Sequence, residues 1–139
     1  MISVLLDTNV VLDFAEKREG FFEAAKKVFV ITKQRGISCC VSASAVTDIF
    51  YHLQKRYKEP GAAKSLLIKL LRHLEVIGVD GQTIETAIES EMLDFEDAVQ
   101  TAAAKDYGID VVVTRDPTGS KNSGLKIYSP EEYLLILAK

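Results

Sequence analysis

The chain has 139 residues and a formal net charge of −3, with a pI near 5.4, so it holds no nucleic acid by an overall positive field and any such contact needs a local basic patch. No apolar run has the length of a membrane span or the form of a signal peptide, which makes the cytoplasm the expected compartment. One domain over residues 1–139 is expected, long enough to bury a core without disulfides or metal staples.

Ile2-Ser3-Val4-Leu5-Leu6 is a short apolar run that stops at Asp7. It reads as a strand buried on both faces, as in a parallel sheet covered by helices. Thr8 to Glu16 carries Val10, Val11, Phe14 and Ala15 at helical spacing, with Asp7 or Thr8 as its cap. Gly20 separates this segment from a helix over Phe21 to Arg35, whose apolar face is Phe21, Ala24, Ala25, Val28, Phe29, Ile31 and Thr32, and Gly36 ends it. Ile37 to Val41 is a second strand, and its adjacent Cys39 and Cys40 are expected as reduced core residues on opposite faces. Ser42 or Ser44 starts a helix through Tyr57 that packs Ala45, Val46, Ile49, Phe50 and Leu53 inward, and Ser44 and Asp48, four apart, share a face.

Pro60-Gly61 breaks the chain before a helix with Leu66, Leu67, Leu70, Leu71 and Leu74 on one side and the solvated Lys64, Lys69 and Arg72 on the other. Glu75 to Val79 is a third strand and Gln82 to Ser90 a brief helix. Asp94 caps a helix to Tyr107, ended by Gly108, with Phe95, Ala98, Val99, Ala102 and Ala103 toward the core and Asp97 and Thr101 on another face. Ile109 to Thr114 is a strand that again stops at an acid, in Thr114-Arg115-Asp116-Pro117. Thr118 to Gly124 reads as a mobile surface loop, Lys126 to Tyr128 as a last strand, and Ser129-Pro130-Glu131-Glu132 as the capping box of a closing helix through Leu137. This alternation predicts an α/β three-layer sandwich with a mainly parallel central sheet of about five strands flanked by helices.

In such a sheet Asp7 and Asp116 end strands at the edge where the helices bearing Asp48 and Asp97 begin. Taken singly, each acid is an ordinary cap or turn residue. Together they predict four carboxylates in one pocket, whose mutual repulsion calls for a cation. An oxygen-only set without His or Cys points to Mg²⁺ or Mn²⁺ rather than zinc, with Thr8, Asn9, Ser44 and Thr114 as neutral polar neighbours.

The pieces Leu6-Asp7-Thr8-Asn9-Val10, Ser44 with Asp48, Asp94-Phe95-Glu96-Asp97-Ala98, Thr114-Arg115-Asp116 and the closing Ser129-Pro130-Glu131-Glu132-Tyr133-Leu134 stand in an order that resembles the PIN-domain family of metal-dependent ribonucleases, in particular the VapC-like toxins of toxin–antitoxin pairs. The resemblance implies catalytic acids at Asp7, Asp48, Asp97 and Asp116, metal ligation by Asp7, Asp97 and Asp116, and support from Asn9, Ser44 and Thr114. It implies cleavage of single-stranded or loop RNA to a 5′-phosphate and a 3′-hydroxyl, an antitoxin laid across the acidic crevice, and a homodimer formed through apolar positions of the early helices. Arg115 and Lys121, with Lys17, Arg18 and Lys126, are the candidates for flanking phosphates. The chain departs from the family's usual pattern at Asp48, where glutamate is customary, and near Ser120, where an aromatic residue often stands.

Other readings stay open at this point. An aspartate phosphatase wants a second acid where Asn9 stands, and a phospho-receiver would use Asp80 but lacks the adjacent acid pair. A catalytically weak PIN-like protein that only binds a partner is the third. His52 and His73 are expected at solvent or at a helix seam rather than at a metal.

Overall fold

Ser3–Leu6 (β1) forms the middle strand of a five-stranded sheet in a computed structural model that describes residues 1–139. The strands Ser38–Ser42 (β2), Glu75–Ile77 (β3), Val111–Val113 (β4) and Lys126–Tyr128 (β5) complete it in the order β3-β2-β1-β4-β5, and every pairing is parallel. The helices are Thr8–Ala15 (α1), Phe22–Gln34 (α2), Ala43–Arg56 (α3), Ala62–Leu71 (α4), Gly81–Glu89 (α5), Phe95–Tyr107 (α6) and Pro130–Leu137 (α7). None is long and apolar enough to cross a membrane.

Strand alternation sorts the core into two sides. Val4, Leu6, Cys39, Val41, Val111 and Val113 pack with α1, α2, α3, α4 and α7, whereas Leu5, Cys40, Ile77 and Val112 pack with Ala103 and Ala104 of α6. The two cysteines therefore lie on opposite faces, both free. Burial pushes the Cys39 thiol up to about 12, which leaves it an inert apolar filler.

Local chemistry sets the helix ends. Asp7 caps α1, Ser42 caps α3 through the Ala45 N–H at 3.2 Å, and Asp94 caps α6 through the Asp97 N–H at 3.0 Å. Gly108 closes α6 at φ +86, and Ser129 with Glu132 forms the expected capping box. The expected phospho-acceptor of a receiver-type protein, Asp80, is instead the cap of α5, its Oδ1 accepting from the Thr83 N–H and hydroxyl, both at 3.0 Å.

Three expectations need correction. β3 ends at Ile77, short of Val79, and its Val76 is exposed at the edge of the sheet. Phe21 and Phe95 do not face the core. Each stands at a helix's first turn, Phe21 as the N-cap of α2 and Phe95 as the first residue of α6, so the helix axis carries each ring to the rim. The segment 118–124 is not simply an open loop: a 3₁₀ turn over Pro117–Ser120 follows Asp116, and Ser120 and Ser123 are buried.

Candidate active site

β1 and β4 are neighbours whose following segments leave in different directions, which opens a crevice at their carboxyl ends. Asp7 enters it held at several points. Its N–H donates to the Val113 carbonyl at 3.0 Å, its Oδ1 accepts from the Thr8 N–H at 2.7 Å, and its Oδ2 accepts from the Thr114 hydroxyl at 2.7 Å. Thr114 is fully buried, and its Oγ1 also accepts the Asp116 N–H at 3.0 Å, so one hydroxyl ties two acids together. Asn9 braces the same knot: its Nδ2 lies 3.4 Å from both Asp7 Oδ2 and Thr114 Oγ1, and its Oδ1 accepts the Arg115 N–H at 3.3 Å.

Asp97 comes from the first turn of α6. Burial, followed by the charges of Asp7, Asp94, Asp116 and Glu96, pushes its carboxyl from the ordinary aspartate range up to about 7. Gly119 makes room for it. A Cβ at that position would lie 2.3 Å from Asp97 Oδ2 and 3.9 Å from Asp116 Oδ2, so any larger residue there displaces the Asp97 carboxylate. No sequence pattern marks Gly119, since Thr118-Gly119-Ser120 reads as any polar turn.

Asp48 does not join these three. Its Oδ1 is 3.8 Å from His52 Nε2 on the next turn of α3, its side chain is 40 % exposed, and it is absent from the charges that raise Asp97. It lines a neighbouring cleft with Ser44, whose hydroxyl pairs with Ser42 at 2.9 Å. The structure thus brings together Asp7, Asn9, Asp97, Thr114 and Asp116, and sets Ser44 and Asp48 beside them.

Among the basic candidates, Arg115 is committed elsewhere. Its Nε and Nη2 donate to Asp13 at 2.6 and 3.2 Å, and its guanidinium lies 3.9 Å over the Phe21 ring. Arg18 reaches Asp13 at 3.5 Å and Glu16 at 2.9 Å, and Lys126 pairs with Asp110 at 3.8 Å. Lys17 and Lys121 are exposed and make no ion pair. Asp13 is the residue that sequence reasoning missed: an acid on the apolar side of α1, flanked by Leu12 and Phe14, was its only signal.

The donor set suits a hard divalent cation. It is all oxygen, burial together with the neighbouring carboxylates disfavours a bare charge on Asp97, and no hydrogen bond from the chain occupies either Asp97 oxygen or Asp116 Oδ2. As the side chains stand, no three acidic, histidine or cysteine groups are close enough together to hold a metal, so the fit is one of donor chemistry. A cavity of about 730 Å³ lies away from these acids, beside α2 and the end of α4, and its lining includes Phe14, Phe29, Ile37 and Leu74.

A family model described as PIN domain matches residues 3–118. No curated protein matches the chain. Among solved structures, a DNA-bound VapBC from Salmonella typhimurium superposes with a TM-score of 0.72 at 21 % identity, over 94 % of this chain and 99 % of the other. A protein from Pyrobaculum aerophilum gives a TM-score of 0.65 at 24 % identity, over 99 % of this chain and 90 % of that one. A VapC toxin of Mycobacterium tuberculosis, described as cleaving the sarcin–ricin loop, gives 0.66 at 17 % identity, over 84 % and 92 %. At these identities the likeness is one of fold.

Proposed function

Because the chain belongs to the PIN-domain family, we propose that it is a metal-dependent endoribonuclease, the toxin of a toxin–antitoxin pair, built as one domain over residues 1–139 and acting in the cytoplasm. The observation that carries this reading is the convergence of Asp7 and Asp116 on the Thr114 hydroxyl, with the Asp97 carboxylate beside Asp116 across Gly119 and free of hydrogen bonds. Asp7, Asp97 and Asp116 would hold Mg²⁺ or Mn²⁺, which when bound lowers the pKa of a water and offsets charge building on a scissile phosphate. The chain's own residues supply the geometry. Thr114 and Asn9 fix the direction of Asp7, Thr114 anchors the backbone of Asp116, and Gly119 keeps the space beside Asp97 clear. Asp48, one cleft wall away, is assigned to orienting the attacking water.

Single-stranded or loop RNA is the substrate this reading takes, cut to a 5′-phosphate and a 3′-hydroxyl, because a crevice at a sheet edge admits a free backbone and not a regular duplex. Flanking phosphates fall to Lys121 and Lys17, since Arg115 spends its guanidinium on Asp13. The Mycobacterium tuberculosis neighbour described as a sarcin–ricin loop cleaving toxin supports the substrate class, and a neighbour described as a toxin–antitoxin complex from Klebsiella pneumoniae supports an antitoxin partner. Exposed apolar residues such as Val30, Tyr51 and Ile68 support a homodimer, which gel filtration at micromolar concentration tests. The decisive experiment is cleavage of single-stranded RNA by purified protein. It should require Mg²⁺ or Mn²⁺ and vanish in Asp7→Asn and Asp97→Asn, and cleavage indifferent to metal and to both substitutions would defeat the reading.

The separation of the acids and the pairing of Asp48 with His52 favour one second reading, a PIN-like protein that binds its partner without cutting RNA. That reading predicts a protein inert with either metal that still captures its antitoxin.

A further inference from the structure

Phe95 is 49 % exposed, although it sits two residues from Asp97 and on the same helical turn. It does not point into empty surface. Together with Ile84 and Val99 it forms the apolar side of a cleft of about 300 Å³ between α3 and α6, and Thr8, the residue after Asp7, lines the same cleft. Phe95 and Val99 stand four apart on α6, as do Glu96 and Gln100, so the helix offers an apolar stripe and a polar stripe side by side. Ser44 and Asp48, four apart on α3, make the facing wall.

Gln100 gives the cleft a ligand signature. Its side chain is only 9 % exposed, yet no hydrogen bond joins its carboxamide to the rest of the chain. No polar side-chain atom is buried without a partner, so the solvent that the carboxamide keeps is that of the cleft it lines. A carboxamide presents a donor and an acceptor in one plane, the pair that reads the edge of a nucleobase.

Resting on the ribonuclease reading, we propose that this cleft is a nucleobase subsite, in which Phe95 stacks on one base of the RNA and Gln100 reads its edge. Charge decides which part of the nucleotide enters. Asp48 and Glu96 line the cleft and repel a phosphate, but Glu96, as a hydrogen-bond acceptor, suits the exocyclic amino group of adenine or cytosine and disfavours uracil, which offers carbonyl oxygens there. A base seated here lies beside the acids of the crevice, so its stack would hold the neighbouring phosphodiester bond near Asp7 and Asp97.

The test uses the full chain with Mn²⁺ and a set of otherwise identical single-stranded oligoribonucleotides, each with one abasic site near the cleaved bond. Phe95→Leu should raise KM by about 5- to 150-fold, the worth of one base–aromatic stack, with kcat little changed, and Phe95→Tyr should restore it. The loss should disappear on the one oligonucleotide whose abasic site empties the cleft. Gln100→Leu should erase the preference for adenine or cytosine over uracil at that position. Binding of a fluorophore-labelled strand by parent and Phe95→Leu proteins is read in parallel, so the subsite is tested even where no cleavage occurs. A KM and affinity within twofold of the parent overturn the subsite and leave the nuclease reading standing. A Phe95→Leu protein that turns monomeric and loses abasic and intact strands alike overturns it in favour of a dimer interface. A parent protein that neither cuts nor binds RNA overturns both.

Discussion

Replacing Asp13 with asparagine should destabilise this protein, although the change lies outside the metal-site acids. Asp13 is 1 % exposed, and its oxygens receive Arg115 at 2.6 and 3.2 Å and Arg18 at 3.5 Å. Removing one partner of a buried ion pair costs about 3–5 kcal/mol, because the other charge is left uncompensated. Here the two guanidinium side chains keep 30 % and 32 % of their surface in solvent, so water absorbs part of that loss. The cost of Asp13→Asn is then ~2–3 kcal/mol. With an unfolding entropy of about 2 cal/mol/K per residue, this lowers Tm by roughly 7–10 °C. Thermal melts of the metal-free protein, followed by circular dichroism at pH 7.5, measure it. The double change Asp13→Leu with Arg115→Met should recover much of the loss, since an apolar pair of similar volume has no charge to desolvate. A fall of under about 2 °C in the single variant would refute the argument that this pair holds the Thr114-Arg115-Asp116 segment in place.

Gly119→Ala should leave Tm nearly unchanged, because the atom it crowds is the movable end of Asp97, but it should weaken Mn²⁺ binding by about 10-fold or more in calorimetric titration. Unchanged affinity would mean that Asp97 is not a ligand in that position. Thr114→Val removes the donor to Asp7 Oδ2 and the acceptor of the Asp116 N–H, and should cost about 1.5–3 kcal/mol in urea unfolding together with most RNA cleavage. Retention of both stability and cleavage would show the hydroxyl to be incidental. With Asp97 near a pKa of about 7, Mn²⁺ binding should release close to one proton at pH 6 and almost none at pH 8. Calorimetry in buffers of different ionisation enthalpy reads this directly, and equal proton release at the two pH values would contradict it.

The features legible in the sequence were those set by neighbours along the chain. Val111-Val112-Val113 can alternate only between two covered faces, and Ser129 with Glu132 satisfies its own helix end, so strand and cap were readable without the rest of the fold. Asp7 and Thr114 are legible for the same reason, since each directly follows a strand, and Asp116 lies two residues beyond Thr114. Distances between elements were not legible. Helical spacing put Ser44 and Asp48 on one face but could not say that this face looks onto a separate cleft. The Asp13–Arg115 pair spans 102 positions, and nothing local to α1 announces its partner. Phe95 was assigned to the core by its place in an apolar pattern, yet as the first residue of its helix it overhangs the rim.

These contrasts divide the acids by what the fold does with them. Asp13 is paired with Arg115 and Arg18, and Asp7 has both oxygens occupied by donors. Asp97 has no such donors, and burial, followed by the neighbouring carboxylates, pushes its carboxyl up to about 7. The sign of its contribution follows. Between an unfolded value near 3.8 and a folded value of about 7, the native protein binds more protons than the unfolded chain, so Asp97 leaves stability intact below about pH 4 and erodes it as pH rises through about 7. Asp97→Asn should therefore raise the Tm of the metal-free protein most at pH 8, by less at pH 5 and little below about pH 4, and abolish the stabilisation that Mn²⁺ gives the parent. It is the opposite of Asp13→Asn, although both replace a carboxylate by an amide on a crevice-side helix. If Asp97→Asn instead destabilises the metal-free protein at pH 8, the carboxylate has a partner within the fold, and the crowding that calls for a cation is not there.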